Sequence, residues 1–158
     1  MKSLYVKNTL LNFFSFFLIA FSLYIFIALV SYDPTDPAFF NKSSSLLINN
    51  LGGPLGANVS DFLFTLIGLS SFLILLIGCV WALQTIFFRD QYGSNIKTIV
   101  RFFSSFILLI SFCAVLEYYF DSNHGGLLGK FIFTNLSNYI GFLGSLIFLV
   151  IFLIPAAA

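Results

Sequence analysis

Phe72-Leu73-Ile74-Leu75-Leu76-Ile77-Gly78-Cys79-Val80-Trp81-Ala82-Leu83 lies inside a window, residues 62–88, that holds no charged side chain. About 20 apolar residues suffice for a helix to cross the hydrocarbon core of a bilayer. Working outward, residues 9–31, 98–120 and 136–154 form three further windows that approach or exceed that length. Backbone polar groups in lipid must be satisfied within the spanning structure, which leaves helices or a closed barrel. These runs lack the alternation of barrel strands. The expectation is an all-α integral membrane protein: one domain, residues 1–158, with four transmembrane helices. Composition agrees, since only 8% of the residues are charged and 59% are hydrophobic, including 23 Phe. Soluble domains carry about 25% charged residues, so this chain lacks the polar surface of a water-soluble monomer.

Lysine and arginine set the expected orientation. Lys2 and Lys7 precede the first window, and Arg89, Lys97 and Arg101 surround the link at residues 89–97. On the other side stand only Lys42 and Lys130. The positive-inside rule then predicts both termini and the 89–97 link in the cytoplasm, with outer segments at 32–61 and 121–135. Asp33, Asp36, Asp61, Glu117 and Asp121 fall on the outer side, and Asp90 on the inner one. Tyr5, Tyr32, Tyr92, Tyr118, Tyr119 and Tyr139 fall near window ends, where an amphipathic ring suits the headgroup layer.

The first window exceeds a signal peptide's apolar core, and no A-x-A cleavage pattern follows it. Cys79 and Cys113 lie within spans and read as small apolar fillers. A net charge of +1 offers no nucleic-acid-binding surface.

The second half of the chain echoes the first. Ala28-Leu29-Val30-Ser31-Tyr32 is matched by Ala114-Val115-Leu116-Glu117-Tyr118, and Gly52-Gly53-Pro54-Leu55-Gly56 by Gly125-Gly126-Leu127-Leu128-Gly129. Two parallel-repeat helical hairpins would give this pattern, and a shared need for a glycine turn before a helix is the alternative.

Motifs that suggest chemistry fail on inspection. Gly125–Lys130 resembles a phosphate loop, but His124 stands at the first glycine position and Phe131 replaces the magnesium-binding hydroxyl. His124, with Asp121 and Asn123 near it, does not supply a structural zinc set and reads as a solvated loop histidine. No catalytic residue, metal site or cofactor is expected. Asp61 is expected in the first turn of the second helix, near a cap from Ser60 or Asn58. Glu117 has no such placement and keeps a transport role open. Gly68, Gly78, Gly141 and Gly144 read as close-packing positions between helices.

Ser31-Tyr32-Asp33-Pro34-Thr35-Asp36-Pro37 ends the first helix. Pro34 and Pro37 stop it and push Asp33 and Asp36 into extended or turn conformations, with both carboxylates expected in water.

The residue order carries more than the composition. Ser31, Tyr32, Pro34, Asp36 and Pro37, then Asn50, Gly52, Gly53, Gly56 and Ala57, then Asp61, Leu63, Phe64 and Gly68 resemble the amino-terminal membrane domain of the FtsK/SpoIIIE DNA translocases. The second glycine-rich segment is similar to that family's second one. The resemblance implies a bacterial inner-membrane domain that anchors a cytoplasmic, ATP-driven DNA motor, helps assemble it at the division septum and engages other division proteins. It implies a role in cell division and chromosome partition, without enzymatic activity in these residues. The chain stops at Ile154-Pro155-Ala156-Ala157-Ala158 with no linker, phosphate loop or motor, which suggests a truncated frame; a free-standing paralogue is the alternative.

The expected function is therefore a membrane anchor and septal-recruitment domain, with a small multi-pass transporter or ion-conducting subunit as the rival. Expected partners are the lipid bilayer, division-septum proteins and, as an open option, further copies of the chain; no direct nucleic-acid contact is expected. The loop-shaping and interaction candidates are Tyr32, Asp33, Pro34, Asp36, Pro37, Gly52, Gly53, Gly56, Asp61, Gly125, Gly126 and Gly129.

Overall fold

A computed structural model describes residues 2–42, 47–87, 95–120 and 124–157. Every regular element among them is helical: α1 (Lys2–Val30), α2 (Gly53–Ile67), a 3-10 turn (Gly68–Ser71), α3 (Phe72–Phe87), α4 (Asn95–Phe120) and α5 (Gly126–Ala157). Arg89, Asp90, Tyr92, Asp121 and Asn123 lie outside the described residues, as do the side chains of Lys2, Tyr5, Lys7 and Lys97.

Three of the described stretches are long and apolar enough to cross a membrane: Thr9–Val30, Gly53–Phe87 and Ile99–Phe120. The burial pattern is that of a protein dissolved in lipid. Large apolar side chains such as Phe13, Phe16, Phe102 and Leu143 are exposed, whereas Ser15, Ser22, Ser70, Thr85, Ser111 and Ser145 are buried. Lipid tails are as apolar as leucine, so association between helices relies on close packing of small residues and local hydrogen bonds. Ser15 Oγ donates to Leu11 O (2.9 Å) and Thr85 Oγ1 to Trp81 O (2.7 Å), each satisfying its hydroxyl on its own helix.

The second stretch differs from the expected straight span at 62–88. Helix begins already at Gly53, with Pro54 in the first turn, where a missing N–H costs nothing. An unbroken helix of 35 residues would be about 50 Å long, against a core of about 30 Å. The chain resolves the mismatch by breaking at Gly68 (φ 59°, ψ −139°). From there α3 runs antiparallel to α1: Phe72 meets Phe26 (6.3 Å between rings), and Gly78 sits where a Cβ would come within 2.0 Å of Ser22 Oγ. By contrast α2 crosses the end of α1. Gly56 faces Ala28, yet Phe64, two turns later, faces Tyr32 just past the end of α1 (4.8 Å).

The second hairpin repeats this path. α5 is interrupted at Gly141 (φ 72°, ψ 168°), Gly129 lies against the Cys113 carbonyl, and Phe133 packs on Tyr118 (5.7 Å). A single shift in residue number carries Gly53 (φ 66°) onto Gly126 (φ 65°) and Gly68 onto Gly141. The echo in the sequence is thus an echo in backbone conformation. Gly78 and Gly68 are close-packing positions, as expected, and Gly68 is a helix break as well; Gly141 is a helix break with open space around it, and Gly144 meets only Ile140 of its own helix. The two hairpins meet through α2 against α5 and through the 3-10 turn against α4 and α5.

Candidate functional site

Residues 31–52 form the first inter-helix segment, and its polar groups close on one another. Asp36 is 1% exposed. Its two carboxylate oxygens accept the backbone N–H groups of Asn49 (2.8 Å) and Asn50 (2.9 Å). Burying a carboxylate costs several kcal/mol, roughly, and hydrogen bonds to a charged acceptor return about 1.5–3 kcal/mol each. Asp36 was expected to face water; the structure buries it, because the returning strand of the segment brings two N–H donors to it.

Asn50 is the hub. Its Nδ2 donates to Ala28 O (2.8 Å), Ser31 O (3.2 Å) and Ser60 Oγ (3.3 Å), so it binds carbonyls at the end of α1 that have no partner in the helix. Its Oδ1 accepts Gly52 N (2.9 Å), a turn closed by the side chain over two residues. Tyr24 Oη donates to Gly52 O (3.0 Å). Gly56 is required here: a Cβ on it would lie 2.5 Å from Asn50 Oδ1.

Two further carboxylates are engaged around this hub. Asp33 accepts from Thr35 N (2.8 Å), Thr35 Oγ1 (2.7 Å) and Asn49 Nδ2 (3.0 Å). The Thr35 hydroxyl and amide, then Asn49, hold its carboxyl below the usual aspartate range. Asp61 is not in a first turn, because α2 starts earlier than expected. It lies mid-helix, 3% exposed, and accepts Phe40 N (2.6 Å). Ser60 and Asn58 do not cap α2; they donate to Ala57 O and Pro54 O. Partial burial raises the Tyr32 phenol, and the charge and hydrogen bond of Asp61, with Asp33, raise it further.

The second junction uses backbone rather than carboxylates. Leu69 N donates to His124 O (2.8 Å), which ties the break in the first hairpin to the loop entering α5. A Cβ on Gly68 would lie 2.0 Å from His124 O, and one on Gly126 would lie 2.5 Å from Leu66 C, so backbone meets backbone at both. Glu117 Oε2 accepts Gly125 N (3.1 Å). His124, expected in solvent, is half-buried, with its Nδ1 enclosed and without a hydrogen-bond partner. Cys79 and Cys113 are free thiols, and Cys113 Sγ lies 3.6 Å from Ile67 O.

All twelve candidates are therefore placed. Tyr32, Asp33, Pro34, Asp36, Pro37, Gly52, Gly53, Gly56 and Asp61 gather in or beside the first segment. Gly125, Gly126 and Gly129 belong to the junction. Among the described residues, no group of three His, Cys, Asp or Glu side chains is close enough to hold a metal ion. Among its described residues the first segment exposes Thr35, Lys42 and Asn49 and also large apolar side chains: Phe39, Leu47 and Leu51 are 69%, 79% and 80% exposed. Phe39, Phe40 and Phe62 form a ring cluster with centroids 5.0–6.5 Å apart. Sequence reasoning missed the roles of Asn49, Tyr24 and Ser60 and the exposed aromatics; an Asn-Asn pair directly before Gly-Gly was the available signal for the side-chain turn.

A family model described as the 4TM region of DNA translocase FtsK/SpoIIIE matches residues 7–158. The chain belongs to this family. It is similar to the DNA translocase FtsK of Vibrio vulnificus (strain CMCP6), with 32% identity over 118 residues, 68% of this chain and 12% of that protein. Similarity to the DNA translocase FtsK of Rickettsia prowazekii (strain Madrid E) is 36% over 93 residues, 59% of this chain and 12% of the relative. For the Rickettsia typhi protein it is 35% over 103 residues, 65% and 13%. The FtsK/SpoIIIE membrane region described here thus spans only 12–13% of the length of these relatives. No solved structure matches.

Proposed function

We propose that this FtsK/SpoIIIE membrane region anchors a DNA translocase of cell division and chromosome segregation in the bacterial inner membrane and recruits it to the septum. It is non-catalytic in itself. Four spans, with both termini cytoplasmic, would put segment 31–52 outside the cell and the motor's attachment point inside. The placement of Lys2, Lys7, Arg89, Lys97 and Arg101 supports that orientation.

The observation that carries the reading is the organisation of segment 31–52. Asp33, Asp36 and Asp61 are occupied as hydrogen-bond acceptors for the segment's own backbone and side chains, which suits shaping rather than proton transfer. The described, hydrogen-bonded parts of the segment then carry exposed Phe39, Leu47 and Leu51, and aromatic residues such as Phe39 are enriched in protein interfaces. Gly52, Gly53, Gly56, Gly125, Gly126 and Gly129 shape the two junctions, and other septal proteins or further copies of the chain are the partners.

Residues 1–158 fused to a fluorescent reporter should concentrate at division sites. Phe39→Ser combined with Leu51→Ser should disperse the signal over the membrane without lowering the amount inserted. Uniform membrane labelling by the unmodified chain would overturn septal recruitment.

A further inference from the structure

The contact between the two hairpins is head to tail. The break of the first meets the turn that starts α5 in the second. Leu69 N donates to His124 O (2.8 Å). A Cβ on Gly68 would lie 2.0 Å from His124 O, and Gly126 faces Leu66, Ile67 and Gly68. Gly68 and Gly126 are buried as a result, Ile67 is 6% exposed and Ser70 is fully buried. This contact engages neither the turn that starts α2 nor the break in α5.

Those two unused ends have the backbone form of the used ones. The shift in residue number that carries Gly53 onto Gly126 also carries Leu51 onto His124, Ile67 onto Ile140, Gly68 onto Gly141 and Ser70 onto Leu143. Gly53 has φ 66° and Gly141 φ 72°, yet a Cβ on either would meet no atom within 4 Å. Leu51 is 80% exposed, Ile140 51% and Leu143 72%. Positive φ alone accounts for glycine at both places. What points to docking is the complementarity: each open end reproduces one side of a contact that the chain already makes with itself. That contact is carried by backbone, so it tolerates the side chains that differ between the repeats.

Membrane depth agrees. Gly56, near the start of α2, faces Ala28 in the last turn of α1, and Phe64, near its break, packs on Tyr32 just past that turn. The first half of α5 lies on α4 in the same way, with Gly129 at Cys113 and Phe133 at Tyr118. Starts and breaks therefore share one level. A second copy turned about the membrane normal, the axis of a parallel repeat, brings its open turn to the height of this chain's open break.

We propose that a second copy docks head to tail, with its turn at 51–53 seated on the break at 139–143, as the turn at 124–126 is seated on 66–70 within the chain. Such a heterologous contact propagates into a ring or an open array. It deepens the reading above by giving further copies of the chain a defined place to bind.

Two differently tagged chains, one with Leu51→Cys and one with Ile140→Cys, are reconstituted together in phosphatidylcholine vesicles and treated with a short bismaleimide. Both carry Cys79→Ala, since Cys79 is partly exposed whereas Cys113 is buried. The mixed product should exceed either same-tag product about tenfold, the ratio that a contact worth about 1.4 kcal/mol gives. Leu143→Trp in the Ile140→Cys chain blocks the seat from an exposed position and should remove the excess. Phe102→Trp, exposed on α4, should leave it unchanged. A mixed product that is absent or only equal to the same-tag products overturns the proposal, and a same-tag excess, the mark of a two-fold contact, does so as well. So does an excess that survives Leu143→Trp or disappears with Phe102→Trp. The vesicles hold no septal protein, so failure here is separate from failure of septal recruitment, which is read by localisation.

Discussion

In the first hairpin the chain leaves α1 at Val30 and returns to α2 at Gly53 through a segment closed by Asp33, Asp36, Asn49 and Asn50; in the second it leaves α4 at Phe120 and re-enters helix at Gly126. Both returns start with a positive-φ glycine, and both following helices break at another. The longer connection carries more backbone N–H and C=O groups outside helix, and it answers them with side-chain amides and buried carboxylates. The shorter one lets backbone pack on backbone: Leu69 N on His124 O, and Gly126 against Leu66 and Gly68. One backbone path is thus held by two chemistries, chosen by the length of chain that must be satisfied.

Glycine substitutions should break the comparison most sharply. Gly126→Ala combines positive-φ strain of about 1–2 kcal/mol with overpacking of about 1–3 kcal/mol against backbone, so a loss on the order of 4 kcal/mol is expected. Gly53→Ala, its counterpart in the first hairpin, meets no atom within 4 Å and should cost only the strain. Thermal unfolding in detergent should rank them in that order. Equal losses would mean that the junction between hairpins is looser than its contacts indicate.

Carboxylates give the next largest effect. Asp36→Ala leaves the buried Asn50 amide and the part-buried Asn49 amide unpaired and should cost about 2–5 kcal/mol. Glu117→Gln retains an acceptor for Gly125 N on a half-buried side chain and should cost about 1 kcal/mol or less. Proteolysis of segment 31–52 in reconstituted protein should accelerate in the first variant and hardly change in the second.

The smallest effect is a pH dependence confined to the first hairpin. Asp33 is held below its ordinary value of 3.8, so the stability it contributes is present above that value and lost as pH falls through the folded one. Amide chemical shifts of Thr35 and Asn49 should titrate below the ordinary aspartate range, and Asp33→Asn should flatten that response.

Part of this architecture was legible in residue order. Pro34 and Pro37 end α1 where expected, because proline removes a donor and restrains its neighbour wherever it stands. The repeated G-G-x-L-G marked both helix entries. Asp36 was read as solvated because its burial depends on Asn49 and Asn50, which follow it at a distance in sequence. Asp61 is expected at a helix start because the apolar window begins at Phe62, whereas α2 already begins at Gly53, over a stretch whose Gly, Pro and Asn read locally as a turn. His124 was placed in solvent because nothing in its own neighbourhood reports that the 3-10 turn packs on it.

By itself, the sequence determined the solvent of this protein and its secondary structure class. Hydropathy and backbone satisfaction are properties of each stretch, and they demand membrane-spanning helices wherever such stretches occur. Only the tertiary structure decided that the second and fourth stretches bend at glycines, that Asp36 and Asp61 serve the backbone, and that hollows flank the Trp81–Ser105 contact between α3 and α4. Those outcomes depend on which donors and surfaces meet across the fold, and contacts between distant residues leave no signal in local composition.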